Sequence, residues 1–154
     1  MKLKDLVDIN PVGNGKLPNL IAYIDTSSVA DGELTNIQYL QDTFPSRAQR
    51  KISNGDILIS SVRPNLKHNY YVQNATENMI ASTGFIQIRV KNNEKVDSRF
   101  LYYWLTSPSK ISHYCRIADC SQSSYPSFSK EVIEELDFPS IPLVAQHSIT
   151  NTIP

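Results

Sequence analysis

Cysteine is scarce: two residues in 154 cannot build a disulfide scaffold. Cys115 and Cys120 form a C-x4-C pair without a second pair, which argues against structural zinc. The expectation is two thiols, at least one of them buried. No stretch approaches the roughly 18 apolar residues of a membrane span. The first 20 residues lack the apolar run of a signal peptide, so the cytosol is the expected compartment. Catalytic signatures are missing as well. Gly13-Asn-Gly15 has no third glycine and no preceding strand, so it is not a dinucleotide loop. There is no phosphate-binding G-x-x-x-x-G-K-[ST], no G-x-S-x-G, no H-E-x-x-H and no Asn/Asp-Pro-Pro-Tyr/Phe. His68, His113 and His147 are scattered, and a His113–Cys115 couple two apart on a helix would not face itself. The chain reads as a non-enzyme.

Net charge is also absent, with 15 basic and 15 acidic residues, but the charge is unevenly placed. Residues 1–43 carry −3, residues 44–72 carry +4, residues 73–130 carry +3 and residues 131–154 carry −4. Between Pro45 and Val72 lie Arg47, Arg50, Lys51, Arg63 and Lys67 against the single anion Asp56. Polar side chains and Tyr70 and Tyr71 are interleaved with them. Cations neutralise phosphates, while Asn, Gln, Ser and Tyr position on the backbone or read base edges. A nucleic-acid-facing surface on a neutral body is the reading this favours over an ordinary solvated face. The length suits one domain, and 40% hydrophobic residues suffice for one core.

The first 90 residues read mainly as strand and turn. Leu20 to Ile24 suits a buried strand, and Asp31-Gly32 a turn. Asn54-Gly55 between Arg50–Ile52 and Ile57–Ile59 is a hairpin signal. Residues 57–62 have apolar side chains on both faces, which predicts a central strand stopped by Arg63-Pro64. Phe85 to Val90 alternates as a half-buried strand would. Helices follow. Asp97 or Ser98 caps one that presents Phe100, Leu101, Trp104 and Leu105, and Ser107-Pro108 opens a second with Ile111, Tyr114, Cys115 and Ile117 together. Ser129 caps a short helix through Leu136, and Pro142 begins another with Leu143, Gln146 and Ile149. The predicted class is α+β: a β-rich body over residues 1–92, an α-hairpin over 97–118, a short helix over 130–136 and the start of a C-terminal helix.

Five motifs lie in a fixed order along this chain: Tyr23-Ile-Asp-Thr-Ser-Ser28 with Asp31-Gly32, Ser46-Arg-Ala-Gln-Arg50, Gly55-Asp-Ile-Leu58 with Val62-Arg-Pro64, Ser82-Thr-Gly-Phe85, and Ser123-Ser-Tyr-Pro126 followed by Ile141-Pro-Leu143 and Gln146. In that order they resemble the target recognition domain of the DNA specificity subunit of Type I restriction–modification systems. The resemblance covers roughly residues 3–149. It implies a double-β-helix-like body followed by an α-hairpin, and it implies a function: choosing the DNA sequence on which separate subunits act. On that pattern residues 1–141 are the recognition domain, and residues 142–154 begin a long spacer helix that stops after about two turns. The expectation is one recognition domain cut from a larger subunit, or a truncated gene product, monomeric and fraying at its end.

The expected phosphate contacts are Arg47, Arg50, Lys51, Arg63 and Lys67. The expected base readers are Asn65, His68 and Asn69, and Gln122, Ser123 and Ser124 in the Ser-rich loop, with Tyr125 stacking or meeting a phosphate. The resemblance implies double-stranded DNA, methyltransferase subunits and, through them, the restriction subunit as partners, with no membrane. S-adenosylmethionine, ATP and magnesium would belong to those subunits and not to this chain. Alternatives stay open in the sequence: Arg63 closing a structural ion pair, His68 idle on the surface, residues 123–126 a structural turn. A recognition domain fused to a methyltransferase, or a protein-interaction module that does not read DNA, are the competing functions. Asp56 is expected to support a turn, since a carboxylate beside phosphates is repelled.

Overall fold

A computed structural model describes residues 1–13, 15–121 and 126–153. Ten strands form β1 (Val7–Ile9), β2 (Leu20–Ile24), β3 (Val29–Ala30), β4 (Glu33–Leu34), β5 (Gln38–Gln41), β6 (Ala48–Lys51), β7 (Ile57–Ser60), β8 (Asn69–Tyr71), β9 (Met79–Ser82) and β10 (Phe85–Val90). Four α-helices follow: α1 (Ser98–Leu105), α2 (Pro108–Asp119), α3 (Lys130–Glu134) and α4 (Leu143–Thr152). One antiparallel sheet has the order β1-β10-β7-β8, and a mixed sheet has the order β5-β2-β9-β6, with β2 and β9 parallel. The strands β3 and β4 make a small hairpin across Asp31-Gly32, whose φ values of 48° and 89° are those a primed turn demands. The α+β class, the β-rich body and the α-hairpin stand as expected from the sequence.

The first sheet is covered on both faces, which explains the apolar runs of its central strands. Ile57, Ile59, Ile86 and Ile88 pack against Leu101, Leu105, Tyr114 and Ile133 of the helices. Leu58 and Phe85 face the other way, against Ala22, Ile24, Val72 and Ala81 near the mixed sheet. The half-buried register expected for β10 is therefore wrong at its start: Phe85 to Ile88 are buried on both faces because the helices cover one face of the sheet and the mixed sheet packs near the other. Each fully buried Leu or Ile removes apolar surface worth about 1.5–3 kcal/mol.

Asn54-Gly55 is a turn but not a hairpin. A two-residue primed hairpin needs positive φ at both positions (type I′) or at the first (type II′), and only the second, Gly55, has it, at 88°. The strand before the turn, β6, pairs with β9; the strand after it, β7, pairs with β10 and β8. The turn thus carries the chain from one sheet to the other. Asp56 holds it, as expected. Its carboxylate is 1% exposed and accepts from Ser53 N at 2.9 Å, Gln87 Nε2 at 2.8 Å, and Arg89 Nε and Nη2 at 2.9 Å each. That bond and the Asp56 charge hold the Arg89 guanidinium above its usual pKa.

Asp97 caps α1 by accepting from Arg99 N, and Pro108 opens α2 behind Ser107. Trp104 packs edge-on against Phe138, with rings 5.2 Å apart. Neither thiol is fully buried: Cys115 is half-buried beside the core and Cys120 is exposed. The C-terminal helix α4 is docked through polar side chains and not through Leu143 and Ile149. Gln146, fully buried, accepts from Asp97 N and donates to Lys95 O and Ile141 O, while Thr150 Oγ1 donates to Asp97 Oδ2. Ile149 and Val144 point outward. The helix runs to Thr152.

Candidate nucleic-acid interface

Where β7 ends, the chain must leave a sheet that is buried on both faces. Arg63 and Lys67 both take left-handed φ, 48° and 54°, on either side of a short 3-10 turn, Pro64–Leu66. Left-handed backbone costs an L-residue about 1–2 kcal/mol, so the surroundings must hold it. They do so by backbone bonds: Arg63 N to Pro126 O at 2.7 Å, Leu66 N to Arg63 O at 3.0 Å, Lys67 N to Pro64 O at 3.1 Å, and Asp31 N to Lys67 O at 2.9 Å. The result is a rigid projection that exposes Arg63, Asn65, Leu66 and Lys67. Strained backbone held in place this way is typical of working loops.

A cleft of about 390 Å³ opens beside this projection, lined by Thr26, Arg47, Ser60, Val62, Arg63, Leu66, His68 and Gly84. Four separate stretches of sequence meet there. Thr26 is placed by a reciprocal cap: Asp25 Oδ1 accepts from Thr26 N at 2.8 Å, and Ser28 Oγ accepts from Asp25 N at 3.0 Å. Arg47 enters at the start of β6, where its carbonyl accepts from Thr83 N. Gly84 allows close approach, since a Cβ there would meet Thr26 Cγ2 at 3.1 Å. Its carbonyl accepts from the Ser61 backbone and hydroxyl, each at 3.2 Å.

Of the expected contacts, Arg47, Arg63 and His68 line the cleft, with Asn65 and Lys67 exposed on the adjoining turn. Arg50 is placed differently. It is half-buried, its Nε donates to Phe85 O at 3.1 Å, and burial lowers its pKa from the usual value. Its role is to tie β6 to the start of β10. Lys51 is exposed but stands four residues from Arg47, about 13 Å along an extended strand, beside Gly13 and away from the cleft. Asn69 is buried, and its Oδ1 accepts from Ser60 N at 3.3 Å. What it exposes lines a separate cleft with Asp31, Lys67 and Tyr102. Gln122, Ser123, Ser124 and Tyr125 lie outside the described residues. Sequence reasoning did not pick out Thr26, Ser60, Leu66 and Gly84; the motifs around 23–28 and 82–85 contained the signal for two of them. Among the described residues no three His, Cys, Asp or Glu side chains are grouped to hold a metal ion. Among them no helix is long and apolar enough to cross a membrane.

Comparison with known proteins bears on the fold and the family. Residues 1–153 match the family described as the Type I restriction modification DNA specificity domain. The specificity subunit of the Type I restriction enzyme HindI of Haemophilus influenzae is 28% identical over 124 residues, covering 77% of this chain and 26% of that subunit. The HsdS subunit of Thermoanaerobacter tengcongensis superimposes with a TM-score of 0.78 at 24% identity, over 99% of this chain and 40% of that one. A chain from a structure describing the assembly and conformational transition of the type I R-M system gives a TM-score of 0.81 at 24% identity, with the same coverage. The chain thus spans about a quarter of the curated relative's length and about two fifths of these solved chains. With the family match running from the first residue almost to the last, this chain belongs to the Type I restriction modification DNA specificity domains.

Proposed function

We propose that this chain binds double-stranded DNA and reads one half of a bipartite target on behalf of separate methyltransferase and restriction subunits. The observation that carries the proposal is the convergence of Arg47, Arg63 and His68 on one cleft beside the rigid, exposed Asn65–Lys67 turn. Arg47, Arg63 and Lys67 fit phosphates, and Asn65 and His68 fit base edges. The role is non-catalytic. S-adenosylmethionine, ATP and magnesium act on the partner subunits. The chain alone is a monomer, and the exposed Val144 and Ile149 of its C-terminal helix, with Ile153 just past its end, are apolar side chains on which a longer spacer helix and the methyltransferase would pack.

The test is a salt titration of duplex binding. Binding to unrelated duplexes should be weak, with Kd on the order of 10⁻⁴–10⁻⁶ M near physiological salt. Arg47→Ala and Lys67→Ala should each lower the salt slope by about one without changing which sequence is preferred. Arg50→Ala should lower thermal stability and leave the slope nearly unchanged. A salt-independent interaction, or equal slopes in all four proteins, would instead support a protein-interaction module.

A further inference from the structure

His68 is held on two sides. Its backbone carbonyl accepts from Ser60 N at 3.3 Å, and its ring Nδ1 lies 2.7 Å from the carbonyl oxygen of the fully buried Val29. A carbonyl oxygen only accepts, so Nδ1 carries the proton. A neutral imidazole has a single N–H; with the proton on Nδ1, Nε2 is a bare acceptor. No described residue bonds Nε2, and the ring lines the cleft. The neighbouring guanidiniums of Arg47 and Arg63 only donate, the Thr26 hydroxyl does either, and the buried Ser60 Oγ spends its proton on Val62 O at 2.8 Å. Among the described side chains of the cleft, His68 Nε2 is therefore an acceptor with no proton to offer, and it is less buried than the Ser60 hydroxyl.

The major groove offers few matches for such an atom. Only the N4 amino group of cytosine and the N6 amino group of adenine donate there; guanine presents N7 and O6, and thymine presents O4 and a methyl group. We infer that His68 selects an amino-bearing base, adenine or cytosine, at one position of the target. Guanine or thymine at that position would set O6 or O4 lone pair to lone pair against Nε2. The inference rests on the DNA-reading proposal above, and it narrows that proposal to one residue and one chemical group.

His68→Asn separates reading from support. The asparagine amide places an N–H where Nδ1 stands, so the Val29 carbonyl keeps its donor, but the side chain ends short of the cleft. The experiment is enrichment from a randomised duplex pool at low salt and at a pH above the ordinary imidazole range, with thermal melting as the check on folding. Wild type should prefer adenine or cytosine at one position. In His68→Asn that preference should fall by about five- to tenfold, as one lost hydrogen bond implies, with the rest of the motif unchanged. Replacing the chosen base by purine or 2-pyrimidinone, which lack the amino group, should cost wild type the same factor and cost the variant nothing. A ¹⁵N spectrum of the free wild-type chain should show Nδ1 protonated and Nε2 bare. The reverse tautomer, or an unchanged motif in a folded His68→Asn, overturns the assignment while leaving DNA reading intact. A wild-type chain that enriches no motif overturns DNA reading and this assignment together.

Discussion

Removing the Asp56 carboxylate tests how the two sheets are joined. Four donors converge on its two oxygens: Ser53 N, Gln87 Nε2 and Arg89 Nη2 on Oδ2, and Arg89 Nε on Oδ1. The group is 1% exposed, whereas the Arg89 side chain is 38% exposed. Asp56→Ala leaves one of the two Gln87 amide protons and the Ser53 backbone N–H without acceptors, although Gln87 keeps Lys51 O, and leaves a guanidinium without its counter-charge. Breaking a buried pair from this side should cost about 3–5 kcal/mol. With an unfolding entropy of about 2.1 cal/mol/K per residue over 154 residues, the melting midpoint should fall by roughly 9–15 °C.

Arg89→Ala should cost less, about 1–2 kcal/mol, because water reaches the guanidinium's place and the carboxylate keeps Ser53 and Gln87. The double variant should be less destabilised than the two losses added, with a coupling of about 1–3 kcal/mol. Urea unfolding of the four proteins, supported by calorimetry, gives each number. A loss below about 1 kcal/mol in Asp56→Ala, or strict additivity, would show that the carboxylate does not hold the two sheets together. It would mean that the turn is held by its backbone bonds, from Asp56 N to Ser53 O, Gly55 N to Val72 O and Val72 N to Asp56 O.

Burial pushes the Tyr102 phenol up to about 12 and Tyr114 higher still, where its hydroxyl donates to Leu105 O at 2.9 Å. The folded state keeps protons that the unfolded chain releases, so this stability is full below about pH 10 and is lost as pH rises from there through 12. Tyrosinate absorbance should therefore rise for these two phenols together with the loss of circular dichroism; independent, gradual ionisation would contradict it. Gly32→Ala should cost about 1–2 kcal/mol, since Gly32 sits at φ 89° and a Cβ would meet the Tyr102 hydroxyl at 3.1 Å. Gly13→Ala should be near neutral in the same melting assay, its Cβ meeting only Lys51 Cβ at 3.6 Å.

Local signals were legible wherever one short segment decides its own conformation. Asp31-Gly32, the Asp97 cap and Ser107-Pro108 all do what their residue types dictate. The apolar runs of β2 and β7 announce burial because those strands lie inside their sheets. Strands set by a partner were not legible. The edge strand β5, Gln38–Gln41, is largely exposed and exists through its pairing with β2. At Asn54-Gly55 the dipeptide promised a hairpin, but the Asn54 side chain accepts from Ala75 N at 2.7 Å and only Gly55 turns left-handed. A tertiary contact decided between two turns that share one sequence signature. The docking of α4 through Gln146 has the same origin, since a polar residue enters a core only when partners from elsewhere satisfy it.

The candidate interface divides along the same line, and His68 and Asn69 show why. Read as a loop after Val62-Arg-Pro64, both residues looked equally able to meet a base. In the fold the loop ends one residue earlier, and Asn69 is already the first residue of β8. Neighbouring residues at a strand's start face opposite sides, so if His68 lines the cleft, Asn69 must turn away from it. It does, and its amide is used to hold Ser60 N. The pair of Arg47 and Arg50 divides in a similar way. Arg47 precedes β6 and stays exposed, while Arg50 lies past the register shift in the ladder with β9 and reaches Phe85 O. Composition finds the basic, polar stretch, but strand boundaries and one irregular register decide which of its side chains are left for DNA.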